Sequence, residues 1–232
     1  STTVTDIEQG EIEKTEEETL ELDWDDAGQV DVVSVELGYG LIPLIEEERH
    51  GRLLQRAKGI RKKMSGELGF LLPTIRIRDN LDIPPHQYQL VVNGSTRGRG
   101  DIELGKFLAI NPGSVLETIP GTEIKEPAFG LDAVWINAND KEYAQAVGYT
   151  VVDTSTVIAT HLNTVLRDNA EELLTFEITQ QLIDRIEETS PKLIEELIPD
   201  SLSISVIMTV LQNLLSEGVP IKDMLSLIHI SE

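Results

Sequence analysis

The sequence predicts a mixed α+β protein with an acid-rich start, a middle region of short strands alternating with helices, and an all-helical end. Three observations lead there. Short apolar runs bounded by Gly, Pro and Asn recur between Val32 and Val152, as strands require. Segments 46–68 and 154–174 carry apolar residues every three or four positions, the period of a helix. Beyond Phe176 only the helical period remains.

Composition bounds the function classes. Hydrophobic residues make up 40% of the 232, enough for a core, and aromatics only 4%, so that core is expected to be Leu, Ile and Val. With no cysteine there is no disulfide, thiol nucleophile or thiolate metal site, in keeping with a reducing compartment. A formal charge of −22 argues against nucleic acid or an anionic membrane as the main partner. No apolar run reaches the roughly 18–20 residues of a membrane helix. The acidic N-terminus does not read as a signal peptide, so the chain as given is expected to be soluble.

Residues 1–31 hold twelve acids against one lysine, half of the net charge, and read as a solvated linker. Trp24 stands out there, either as an anchor for another surface or as a locally packed side chain. Val32–Leu37 is the first expected strand. A helix over about 46–68 follows, with Leu53, Ala57, Ile60, Met64 and Leu68 inward and Arg49, Arg52, Arg56, Lys58, Arg61, Lys62 and Lys63 on its other faces. That basic cluster reads as a solvated face, as a landing site for the acidic linker of the same or a neighbouring subunit, or, least in keeping with the overall charge, as a nucleic-acid contact. Strands are expected at 73–78 and 87–92, with Asn93-Gly94 as a hairpin turn. Gly94-Ser95-Thr96-Arg97-Gly98-Arg99-Gly100 lacks the spacing of a phosphate loop and reads as a flexible hairpin return through Ile102.

Lys106–Ile110 is a short strand, residues 121–130 a loop, and Leu131–Ile136 a buried strand. A short helix over 139–147 and a strand at 149–152 lead to Asp153 or Thr154, which caps a helix through about Leu174. Its inner face is Ile158, Leu162, Val165 or Leu166, and Leu173, with Thr160, Asn163, Thr164 and Arg167 opposite. Ile178, Leu182 and Ile186, then Ile204, Ile207, Leu211 and Leu214, mark two later helical stripes.

The stretch Pro127-Ala128-Phe129-Gly130-Leu131-Asp132-Ala133-Val134-Trp135-Ile136 sets one aromatic on a loop before a core strand. Phe129 is there either as a binding contact or as a core residue. Catalytic signals are weak. His50, His86, His161 and His229 are scattered without metal spacing, and His161, mid-helix, reads as packed or solvated. No serine elbow is present, and nothing separates an acid from a base among the abundant carboxylates. An enzyme is not expected, nor a metal or other cofactor.

Several stretches together resemble the FlhA family of bacterial export-gate proteins. They are Gly38-Tyr39 with Leu41-Ile42-Pro43, Ile77-Arg78-Asp79-Asn80, Ala109-Ile110-Asn111-Pro112-Gly113, the ten residues above, Thr160-His161-Leu162-Asn163, and Leu211-Gln212-Asn213-Leu214-Leu215. The resemblance runs from about Glu21 to Met224. It implies a cytosolic docking platform of the flagellar type III export gate that binds chaperone–substrate complexes and helps order export. The alternative is the equivalent component of an injectisome. It also implies a soluble piece of a membrane protein at the cytoplasmic face of the bacterial inner membrane, a nine-membered homo-oligomeric ring, and other export-apparatus proteins as partners.

By the same resemblance residues 1–31 are linker, 32–104 plus 154–173 a first α/β subdomain, 105–153 a second inserted in it, and 174–224 an incomplete helical third. The membrane part and a fourth subdomain are then missing. The chaperone site is expected in a shallow hollow between the first two subdomains, at Glu126, Phe129 and Thr160. The flagellar pattern usually has Asp where Glu126 stands, and the extra methylene keeps the charge but moves it. Glu21, Trp24 and Asp26 match positions that touch a neighbouring subunit. Residues 225–232 depart from the family pattern and read as translated adaptor sequence, so a non-native end is expected and His229 receives no function.

Overall fold

The computed structural model describes residues 31–46, 51–189, 191, 192, 194 and 203–222. Glu21, Trp24, Asp26, His50, His229 and the 225–232 tail lie outside the described residues. The α+β expectation holds, with two four-stranded sheets and helices packed on them.

The first sheet has β1 (Val33–Leu37), β2 (Ile75–Asp79), β3 (Gln87–Val92) and β4 (Ser95–Asp101) in the order β2-β1-β3-β4. Parallel strands need a long crossover, and β1 reaches β2 through α1 (Pro43–Glu46) and α2 (Arg52–Leu68). The helix expected over 46–68 thus begins at Arg52, six residues late, after Gly51. Leu53, Ala57, Met64 and Leu68 are buried as the periodicity requires, and Ile60 half-buried. Asn93 and Gly94 both have positive φ, 47° and 73°, the turn whose twist matches a two-residue hairpin.

The glycine-rich return is a regular strand rather than a flexible one, paired with β3 from Gln87↔Asp101 to Val92↔Ser95. Its glycines serve close packing. A Cβ at Gly98 would stand 2.7 Å from the His161 ring, and one at Gly100 would stand 2.6 Å from the ring of Tyr88.

The second sheet is antiparallel throughout: β5 (Phe107–Ile110), β6 (Thr122–Lys125), β7 (Asp132–Ile136) and β8 (Thr150–Asp153), in the order β6-β7-β5-β8. The loop expected over 121–130 therefore contains an edge strand. Its four residues are mostly polar and exposed, which hides it from a reading by hydrophobicity. One face of this sheet, with Leu108, Ala133 and Trp135, joins the main core. The other, with Ala109, Val134 and Ile136, closes a smaller core with Ala144, Val147 and Tyr149 around α3 (Lys141–Ala146).

From β8 the chain enters α4 (Thr154–Asp168), capped by Asp153, whose carboxylate accepts the Thr156 amide proton at 2.7 Å. Val157, Ile158, Leu162, Val165 and Leu166 are buried against α2 and the first sheet. The helix stops at Asp168, short of the expected Leu174, where the Asn169 side chain donates to the Val165 carbonyl at 2.7 Å and a 3₁₀ turn follows. Helices α5 (Phe176–Thr189) and α6 (Ile204–Ser216) complete the main core with Ile183, Ile186, Leu211 and Leu215.

Candidate functional site

The loop between β6 and β7 is built around Glu126. Its backbone N–H donates to the Leu131 carbonyl at 2.7 Å, and its carbonyl accepts from Gly130 N–H at 2.8 Å, closing a tight turn. Gly130, at φ 70°, supplies the left-handed residue that the turn needs. The Glu126 carboxylate then folds back, accepting the Ala128 N–H through Oε1 and the Phe129 N–H through Oε2, both at 2.8 Å.

Charge-assisted bonds to backbone amides are among the stronger ones in proteins, so the turn holds a defined shape. It leaves Glu126 2% exposed and Phe129 66% exposed. The acid faces inward and the aromatic outward. Phe129 is therefore not a core residue, and Leu131 beside it is also exposed.

Thr160 lies half-buried on α4, its carbonyl accepting from the Thr164 hydroxyl at 3.2 Å. The next residue, His161, is buried and packed, with Nδ1 2.8 Å from the Tyr88 hydroxyl and the two rings edge to face. Burial pushes the His161 pKa down while the nearby Glu126 charge pulls it up. Burial, with the Glu126 and Asp101 charges, drives the Tyr88 hydroxyl far above its ordinary range.

The structure thus joins Glu126 to Phe129 by a hydrogen bond. His161, the residue after Thr160, feels the charge of the same carboxylate. A hollow of about 240 Å³ against the second sheet is lined by Asn111, Ile119, Glu123, Asp132 and Tyr149, and Glu126, Phe129 and Thr160 are not in its lining.

Sequence reasoning missed Tyr88 and missed the inward turn of Glu126. The signal for Tyr88 was the pair Gly98 and Gly100, two glycines on one face of a strand, which marks space kept for large neighbours. The basic residues of α2 are partly engaged within the fold. Arg56 pairs with Asp153 at 3.2 Å, and Arg61 donates to the Leu72 and Pro73 carbonyls. Among the described residues no group of three His, Cys, Asp or Glu could hold a metal, and no helix is long and apolar enough to cross a membrane.

A family model described as FHIPEP matches residues 2–230. The flagellar biosynthesis protein FlhA of Proteus mirabilis is 46% identical over 224 residues, covering 96% of this chain and 32% of that protein. The chain thus spans about a third of that relative. Among solved structures, the Chlamydia pneumoniae CdsV protein superposes with a TM-score of 0.72 at 22% identity, over 89% of this chain and 60% of that one. The nonameric SctV-C of EPEC does so at 0.59 and 19% identity, over 87% and 59%. These two show the fold, and the family match, spanning nearly the whole sequence, shows the kinship: the chain belongs to the FHIPEP family.

Proposed function

We propose that the chain is a cytosolic docking module of a flagellar type III export gate, which binds chaperone–substrate complexes and helps order their export. The observation that carries it is Phe129, an aromatic held in water by a buried carboxylate on its own amide. A side chain costs little entropy on binding when its backbone is already fixed, and aromatics so placed make interface hot spots. In this reading Thr160 of α4 is a pocket wall, as the family resemblance implies, and Glu126 acts by shaping the loop.

Kinship at 46% identity with a flagellar protein supports the flagellar reading over the injectisome one, whose relatives are 22% and 19% identical. The module works by binding rather than by bond chemistry. The nonameric neighbour supports assembly into a ring. In the same reading that ring lies at the cytoplasmic face of the inner membrane, and Glu21, Trp24 and Asp26 would touch the adjacent subunit. The division into linker, first, inserted second and helical third subdomains belongs to the same reading.

Titration calorimetry against a flagellar export chaperone loaded with its substrate tests the site. Phe129→Ala is expected to cost about 2 kcal/mol or more, roughly 30-fold in affinity. Unchanged binding by a folded variant overturns the assignment.

A further inference from the structure

The tip of the β3–β4 hairpin holds Asn93-Gly94, the one place in this sequence where an asparagine precedes a glycine. Both residues are exposed and both have positive φ. The Asn93 side chain reaches the 3₁₀ turn Ala170–Leu173, where Nδ2 donates to the Glu172 carbonyl at 3.0 Å. Arg97, on the same hairpin, pairs with the Glu172 carboxylate. The Asn93 backbone N–H donates to the Val32 carbonyl at 2.9 Å. Among the described residues no backbone carbonyl accepts the Gly94 N–H.

We propose that Asn93 is a site of spontaneous deamidation in the folded protein, and that its conversion unfastens the hairpin from the turn at 170–173. The Gly94 nitrogen, with no Cβ beside it, gives its proton to hydroxide and bonds to Asn93 Cγ. The Cγ–Nδ2 bond breaks and ammonia leaves. Water then opens the five-membered ring at either carbonyl, giving aspartate or isoaspartate. The net exchange is an amide and water for an acid and ammonia, and nothing is oxidised or reduced.

The fold slows this reaction without closing it. The bond from Nδ2 to Glu172 has to break before Cγ can meet the Gly94 nitrogen, and one exposed hydrogen bond accounts for about tenfold at most. The tip itself needs only local opening. The product then reverses the chemistry of the seam. A side chain that donated becomes a carboxylate that only accepts, set against a carbonyl and beside the Glu172 carboxylate. Isoaspartate also lengthens a two-residue turn whose register depends on its length. The turn at 170–173 follows α4 and precedes α5, so the loosening falls where the mixed region meets the helical one.

The test incubates the whole chain at mildly alkaline pH, folded and in urea, and follows Asn93 by peptide mass. Conversion in the folded protein should be no more than about thirtyfold slower than in the unfolded chain, and slower conversion than that overturns the site. Asn111 is the internal control: Pro112 after it has no N–H to lose, so it should stay an amide. Converted protein carries an added negative charge and separates by ion exchange. In it, and in Asn93→Asp, the Glu172 and Leu174 amides, bonded to the Asn169 and Glu171 carbonyls, should lose about tenfold of their exchange protection. Unchanged protection of those two amides overturns the unfastening.

Discussion

The Glu126 carboxylate accepts the Phe129 amide proton at 2.8 Å, which makes the acid a structural support for the aromatic beside it. Acid and aromatic stand three residues apart, one 2% exposed and the other 66%. Removing the acid should therefore act through the loop. Glu126→Ala leaves two amides without their acceptor, at a cost of about 1–3 kcal/mol, and should weaken chaperone binding through a disordered Phe129. Loss of protection at the Ala128 and Phe129 amides, measured by hydrogen exchange, is the expected signature. Full protection in the variant would place the loop's rigidity elsewhere.

Gly98→Ala should be costly although Gly98 is not among the positive-φ glycines. The added Cβ would sit 2.7 Å from the His161 ring and 3.2 Å from Val165, between two elements that cannot easily part. Overpacking of this kind costs about 1–3 kcal/mol. Thr96→Ala, on the exposed part of the same strand, should stay within about 0.5 kcal/mol in urea unfolding.

Glu36 is nearly buried in the first sheet, with Arg78 Nη2 and Asn80 Nδ2 both 2.6 Å from its oxygens. Burial raises its pKa, but the Arg78 and Asn80 hydrogen bonds and the Arg78 charge outweigh that and hold it below the ordinary carboxylate range. A depressed folded pKa stabilises the fold at pH values above the unfolded value near 4.5, and that stability is lost as pH falls through the folded value. The Arg78 side chain is 55% exposed, so the pair is partly screened. Arg78→Ala should cost about 1–2 kcal/mol at pH 7 and progressively less as the medium is acidified below about pH 4. A cost independent of pH would assign the effect to packing.

Asp153 ends β8 and caps α4, accepting the Thr156 amide at 2.7 Å while pairing with Arg56. Asp153→Ala should lower stability by about 1 kcal/mol, and Asp153→Asn by much less, since asparagine caps nearly as well. Equal losses in thermal melts would shift the weight from the cap to the Arg56 pair.

Much of this fold can be read directly from the residues. The hairpin at Asn93-Gly94, strand β3, the buried run of β7 and the Asp153 cap all follow from local chemistry: a turn needing positive φ, an apolar run, an acceptor for free amides. Edge strand β6 was not legible, because pairing with β7 rather than its own polar residues makes it a strand. The end of α4 was likewise hidden, since Leu173 keeps the helical period while the Asn169 side chain closes the last turn.

The same division runs through the candidate site. By itself the sequence determined that Phe129 lies on a turn before a core strand, because Pro127 and Gly130 admit little else and the apolar run 133–136 must be buried. It could not say which way the side chains of that turn point. Only the tertiary structure decided that Glu126 is buried, its carboxylate on the Ala128 and Phe129 amides, and that Phe129 is left in water. The reason is physical. A turn's path is set by the torsions of its own few residues, whereas which of its side chains are covered depends on packing against elements far away in the sequence.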